Sequence, residues 1–175
     1  MFRMRPATIE DVPILSYWDT LPHVVAATGD DDVIDWEWEL TRETDWKWDL
    51  VAEVDEEPIG IVQIIDPARE ETHYWGDIES NLRAIDIWIG PAEFLGQGYG
   101  TLMMQEALKQ CFSDPAVTAV LIDPLEDNKR ARNFYERIGF RYLEDRIFGQ
   151  DLCAVYRLDR CTFLSPTVPQ SLKSD

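Results

Sequence analysis

Soft metal ligands are scarce in this chain: two histidines, His23 and His73, and three cysteines, Cys111, Cys153 and Cys161, in 175 residues. Neither type clusters at ligand spacing, so no metal centre is expected. Three scattered cysteines also argue against a disulfide framework and for reduced thiols, as in a cytoplasmic protein. Long apolar runs are missing. No stretch approaches the roughly 20 uncharged residues that cross a bilayer, so no membrane span is expected. The opening "MFRMRPATIEDVP" lacks the apolar segment of a secretory signal. Positive charge is scarce too: 16 Lys and Arg stand against 34 Asp and Glu, a formal net charge of -18. A phosphate backbone demands a basic footprint, so nucleic acid is disfavoured as a partner.

What is present points elsewhere. Hydrophobic residues make up 45% of the chain and aromatics 11%, enough for the core of one domain. That domain is expected over residues 1–160, with 161–175 a loosely ordered tail because of its prolines and polar residues. The charge is lopsided. Residues 1–93 carry a net -17 and residues 94–175 a net -1, and all seven tryptophans precede residue 89. An acidic, Trp-rich half suits a cationic ligand through field focusing and cation–π contact. The alternative is a merely solvated acidic surface.

Local patterns give an element order. "MFRMRPA" reads as a strand. Thr8 with Asp11 opens a helix over 9–19 as an N-cap with an acidic first turn. "TGDDD" is a loop, and a second helix is predicted from Val33 to Thr41. "KWDLVAEVD" and "IGIVQIID" flank the turn "DEEP" as a hairpin. Residues 66–80 show no period and read as a long loop of the kind often functional. "LRAIDIWIG" is a strand. A glycine loop and a helix to about 111 follow, then a strand in "DPAVTAVLID". The next helix runs from Asp127 or Asn128 to Gly139, and two strands turn at Gly149. This mixture predicts an α/β (α+β) domain with a mixed sheet covered by helices.

In "FLGQGYGT", residues 94–101, glycine takes every second position at a helix start. Gly100 precedes Thr101 with no lysine, so a Walker-type loop fails, and the dinucleotide G-x-G-x-x-G is a weak match, with Thr101 at its third glycine and the loop past mid-chain. What these loops share is close backbone approach and N–H groups aimed at an anion, such as a diphosphate. A ligand-free connection is the other reading. Downstream, "NKRARNFYERIGF" places Asn128, Ala131 and Tyr135 on one helix face. The two motifs together resemble those of the GNAT superfamily of acetyl-CoA-dependent N-acetyltransferases, over about residues 1–160. The first is Q/R-x-x-G-x-G/A after a strand; the second is N-x-x-A-x-x-x-Y-x-x-x-G-F. The chain departs from the first at Leu95, which stands at the Q/R position. "AIDIWIG", "DPAVT" and "DP…N…A…YE…GF" are most similar to the aminoglycoside 6'-N-acetyltransferase branch.

The resemblance implies a largely antiparallel central sheet and acetyl transfer to a primary amine of a small cationic substrate, an aminoglycoside at its 6'-amino group. A polyamine, a hydroxylamine or a protein amine is the alternative acceptor, and a non-catalytic CoA-binding module the alternative function. Acetyl-CoA is the implied co-substrate, and a monomer or homodimer is expected. Main-chain groups of Ile87, Trp88 and Ile89 would meet pantetheine. Gly96, Gln97, Gly98, Tyr99, Gly100 and Thr101 would cradle the diphosphate, with Asn128, Ala131 and Arg132 contributing. Six basic residues at 127–146, Lys129, Arg130, Arg132, Arg137, Arg141 and Arg146, would offset the anion. Asp86, a carboxylate in an apolar strand, is the candidate base, its proton affinity raised by desolvation and acting directly or through water. Tyr135, protonated at neutral pH, is the candidate acid for the departing thiolate. Trp75, Asp77, Glu79 and Asp123 match acceptor positions of the branch. Trp18, His23 and the "GDDD" loop (29–32) are further pocket candidates.

Overall fold

The computed structural model describes residues 1–29 and 34–165. The predicted helix start at Val33, most of the "GDDD" loop and the end of the tail lie outside them. Among the described residues seven strands form one sheet in the order β1-β2-β3-β4-β5-β7-β6. They are β1 Phe2–Pro6, β2 Lys47–Val54, β3 Glu57–Ile65, β4 Leu82–Ile89, β5 Ala119–Ile122, β6 Arg141–Phe148 and β7 Asp151–Asp159. Every neighbouring pair is antiparallel except β4 and β5, so the sheet is mixed and largely antiparallel.

Among the described residues six helices accompany it: α1 Val12–Trp18, α2 Pro22–Thr28, α3 Trp36–Thr41, α4 Tyr99–Ser113, α5 Lys129–Ile138 and α6 Arg160–Leu164. The first differs from expectation in its opening turn, Ile9–Asp11, which is a 3₁₀ turn. Asp11 accepts from the Thr8 N–H at 2.8 Å, as the N-terminal signal foretold. Helix α2 went unpredicted although Pro22 sits in its first turn, where a missing N–H costs nothing. Helix α3 starts at Trp36, because the Asp35 side chain accepts from the Trp38 N–H. The start of the predicted loose tail is the ordered α6. There Arg160 donates to the carbonyls of Val117 and Phe112 and pins the helix to the sheet end.

Buried clusters lie on both faces of the sheet, while edge strand β6 is largely exposed. On one face, α4 and α5 cover a core that includes Ile64, Ile85, Met103, Leu108 and Tyr156. On the other, α1 to α3 pack Trp18, Trp36, Val51, Ile61 and Trp88 together. A smaller cluster on that second face joins Trp75, Leu82, Ala84 and Phe148 under the long loop. Strand alternation explains the division: Leu82, Ala84, Asp86 and Trp88 share one face of β4, and Ile85, Ile87 and Ile89 the other. Asp86 therefore sits between the two clusters of the second face.

Candidate active site

The site begins where two strands part. Strand β4 pairs with β5 over only Leu82↔Ala119, Arg83↔Val120 and Ala84↔Leu121, yet runs on to Ile89 beside β3. The Gly90 N–H donates to the Ile59 carbonyl at 3.0 Å, toward β3. Main-chain direction alternates along a strand, so Ile89 and Ile87 aim their N–H and carbonyl groups at the opposite, open edge. His23 Nε2 meets the Ile89 carbonyl there at 3.1 Å.

The glycine loop lies just beyond β4. Gly96 and Gly98 have φ of 74° and 89°, which glycine alone adopts freely, and no atom lies within 4 Å of where either Cβ would stand. From Gly96 to Gly100, no main-chain N–H finds a main-chain acceptor among the described residues. Consecutive unmatched N–H groups at the start of a 15-residue helix form an anion-binding concavity. The donor set thus fits a diphosphate. Leu95 adds no polar contact, and Gln97 turns its amide to the Glu93 carbonyl. Tyr99 packs edge-on against Phe94.

A cavity of about 650 Å³ lies beside the open edge. Of the predicted residues it brings together Asp86, Ile87, Trp88, Trp75, Asp123, Asn128, Ala131 and Tyr135. Ile89, Arg132, Asp77, Glu79 and the loop 96–101 are not on its walls. Helix α5 is built to aim Tyr135. Asn128 Oδ1 caps it by accepting from the Ala131 N–H at 3.1 Å, and Gly139, at φ 114°, ends it. Tyr135 is buried against Phe134 and Phe140. Burial, then the negative charges of Asp86 and Asp123, push the phenol's pKa above its ordinary value.

Asp86 departs from expectation. It is exposed on the cleft floor, not desolvated within its strand. Asp123 accepts from the Tyr74 hydroxyl at 2.8 Å, and Tyr74 stacks on Phe148 with ring centroids 4.4 Å apart. Trp75 closes the same aromatic group edge-on. Asp77 is exposed, and Glu79 pairs with Arg157 at 2.5 Å. Arg132 is committed within the fold: its Nε donates to the Tyr156 hydroxyl and Nη1 to the Glu126 carbonyl and carboxylate. Arg146 is held by Glu144. Lys129, Arg130, Arg137 and Arg141 are exposed. Trp18 is a core residue packed so close to Gly90 that a Cβ there would stand 2.2 Å from the indole ring.

Sequence reasoning passed over Tyr74, Gln63, Asp49 and Glu70. Glu70 accepts from the N–H groups of Thr72 and Tyr74 at 2.7 and 2.9 Å, shaping the loop that carries Tyr74. The signal for Tyr74 was its place beside Trp75 in an aperiodic loop. Among the described residues, no group of three or more His, Cys, Asp or Glu side chains is arranged to hold a metal ion, and no helix is long and apolar enough to cross a membrane.

The acetyltransferase (GNAT) domain family matches residues 8–148. An aminoglycoside N(6')-acetyltransferase type 1 of Klebsiella pneumoniae is 34% identical over 85 residues, covering 48% of this chain and 42% of that protein. The matched stretch thus spans less than half the length of that relative. A kanamycin resistance protein of Rhizobium radiobacter is 35% identical over 72 residues, covering 41% of this chain and 67% of that one. Among solved structures, aminoglycoside acetyltransferase AAC(6')-Ib in complex with coenzyme A and kanamycin aligns with a TM-score of 0.82 at 25% identity, over 93% of this chain and 97% of that one. A spermidine N-acetyltransferase SpeG chimera from Vibrio cholerae and hSSAT shares the fold, with a TM-score of 0.74 at 15% identity over 94% of this chain and 98% of that one.

Proposed function

The chain belongs to the acetyltransferase (GNAT) domain family, and from that premise we propose that it transfers acetyl from acetyl-CoA to a primary amine of a small polycation, an aminoglycoside at its 6'-amino group. The observation that carries this reading is a junction. The open edge of β4 at Ile87 and Ile89 runs from the N–H array at Gly96–Gly100 to a cavity holding Asp86, Asp123 and Tyr135.

Acetyl-CoA, when bound, supplies an acetyl group on a thioester. The N–H groups of Gly96 to Gly100 hold its diphosphate. The open-edge groups of Ile87 and the Ile89 N–H meet its amides, the Ile89 carbonyl being held by His23, and an N–H there stabilises the carbonyl oxygen as it gains charge. The acidic cleft draws in the acceptor as an ammonium, and Asp123 and Asp86 pin it. That field also favours the charged amine and so opposes its deprotonation. Asp86, reaching the amine directly or through one water, relieves the conflict by taking the proton. Tyr135 gives its proton to the departing thiolate, and its raised pKa keeps it loaded for that task.

The names of the relatives support the aminoglycoside in particular. The test is a thiol-release assay with acetyl-CoA against kanamycin-type aminoglycosides, spermidine and lysine peptides. Turnover is expected on the aminoglycosides. Turnover confined to spermidine or peptides would move the acceptor class, and the absence of amine-dependent thiol release on every acceptor would refute acyl transfer to amines.

A further inference from the structure

Strand register places three polar side chains in one row across the second sheet face: Asp49 on β2, Gln63 on β3 and Asp86 on β4. The row above it is Val51, Ile61 and Trp88, all buried in the helix-covered cluster. The row below is Lys47, Ile65 and Ala84. A polar row thus crosses an apolar face where the cavity opens. Gln63 is only 5% exposed, yet lines the cavity beside Asp86. Its Nε2 donates to Asp49 Oδ1 at 2.7 Å. Asp49 in turn lies 3.5 Å from Lys47 Nζ, which pairs with Glu39 at 2.6 Å. Burial pushes the Asp49 carboxyl upward, and Lys47 pulls it back.

This arrangement is a poor way to stabilise a sheet. Lys47 and Asp49 side chains are 9% and 10% exposed, and ion pairs taken that far from water roughly break even against apolar packing. Its use lies in what it dictates. A primary amide is two-ended, and an ionised carboxylate accepts but does not donate. Asp49 therefore claims the nitrogen end and leaves the amide oxygen as an acceptor, in the row that ends at Asp86.

We propose that Gln63 is a positioning residue for the Asp86 end of the cleft, held in one orientation by Asp49, so that the acceptor amine is presented to Asp86 in a single geometry. The inference rests on the acyl-transfer reading above and names the residues that align its acceptor. Lys47 and Glu39 anchor the far end of the row.

The experiment combines kinetics with a readout that needs no turnover. Gln63→Leu should lower kcat/KM for the amine roughly 10-fold to 100-fold while the KM for acetyl-CoA stays within about twofold, since misplacement and not donor binding is at stake. Asp49→Asn, which can offer Gln63 either end of an amide, should lower it in the same direction by less. Gln63→Leu added to Asp86→Asn should cost little more than Asp86→Asn alone. In parallel, the Gln63 side-chain amide resonances, assigned by their loss in Gln63→Leu, should shift in both the Asp49→Asn and the Asp86→Asn proteins. Additive kinetic losses, or resonances that respond to Asp49→Asn alone, would overturn the proposal and leave Gln63 a packing residue. If the wild type acetylates no amine, the acyl-transfer reading falls, and the resonance shifts still decide whether the row exists.

Discussion

Tyr135 and Asp86 sit on one cavity but answer to different physics. Tyr135 is buried, and its pKa is raised first by that burial and then by Asp86 and Asp123. A raised phenol pKa widens the range in which the neutral donor persists. The pH–rate profile of the wild type should therefore show no loss assignable to tyrosinate up to about pH 10, the ordinary phenol value. Tyr135→Phe should keep the fold and the acetyl-CoA KM and lower kcat on the order of 100-fold, the usual worth of a positioned proton donor. An unchanged kcat would remove Tyr135 from the chemistry. Tyr135 was legible in sequence because helix spacing and the paired motifs converge on it. The environment of Asp86 was not. Its apolar neighbours in "AIDIWIG" suggested burial, but those neighbours divide among three clusters, and Asp86 opens into the gap between the two on its own face. Tyr74 was illegible for a related reason: its partner Asp123 is 49 residues away, and only the fold brings the two together.

At the scale of elements, the two glycines that frame the donor edge make opposite demands. Gly98 has open space where a Cβ would go but a φ of 89°, so its requirement is conformational. Gly98→Ala should cost on the order of 1 kcal/mol in stability, the left-handed penalty, while reorienting the N–H groups. CoA affinity by calorimetry should then drop more than the melting temperature suggests. Gly90 is the reverse case. A Cβ there would strike the Trp18 ring at 2.2 Å, so Gly90→Ala should destabilise by about 1–3 kcal/mol through overpacking. Equal losses of CoA affinity and stability at Gly98 would argue against the N–H array as a binding element. A third device fastens β1 to the first helical turn. Arg5 donates to Asp11 and Glu53, and both carboxyls have pKa values below their ordinary range; for Asp11 the hydrogen bond from Arg5 is the leading cause, and for Glu53 the bonds from Arg5 and Arg3 outweigh its desolvation. Depressed carboxyl pKa values add stability above about pH 4 and lose it as the pH falls through the folded-state values. Thermal melts should show that acid sensitivity in the wild type. Arg5→Ala should flatten it and lower the melting temperature at neutral pH. The strands, α4, α5 and the hairpin were readable from pattern, because period and caps agree there. Helix α2 was not, since seven residues carry too little period to outweigh a neighbouring loop signal.

The whole molecule poses an electrostatic question, because a chain of net charge -18 must accept an anionic donor and a cationic acceptor. The fold answers by separating them. The acidic cleft lies on the sheet face covered by α1 to α3, and the N–H array belongs to the start of α4, which covers the other face. Exposed Lys129, Arg130 and Arg137 ride on α5, beside that array: the ring of Phe134 on the same helix lies 3.7 Å from where a Gly100 Cβ would stand. Main-chain dipoles close to the ligand are little screened by salt, whereas attraction across an open acidic cleft is screened over about 10 Å at 0.1 M ionic strength. The two substrates should therefore respond differently to salt. Between 50 and 500 mM potassium chloride, the KM for a polycationic amine should rise several-fold, and the KM for acetyl-CoA should change much less. A monoamine of similar size should show a weaker rise than a tetra-amine, since each added charge gains from the field. Parallel rises for acetyl-CoA and amine would mean that the acidic half acts only as a solvated surface. A salt-independent amine KM would place recognition in hydrogen bonds and aromatic contacts around Tyr74 and Trp75 instead of in the field of the cleft.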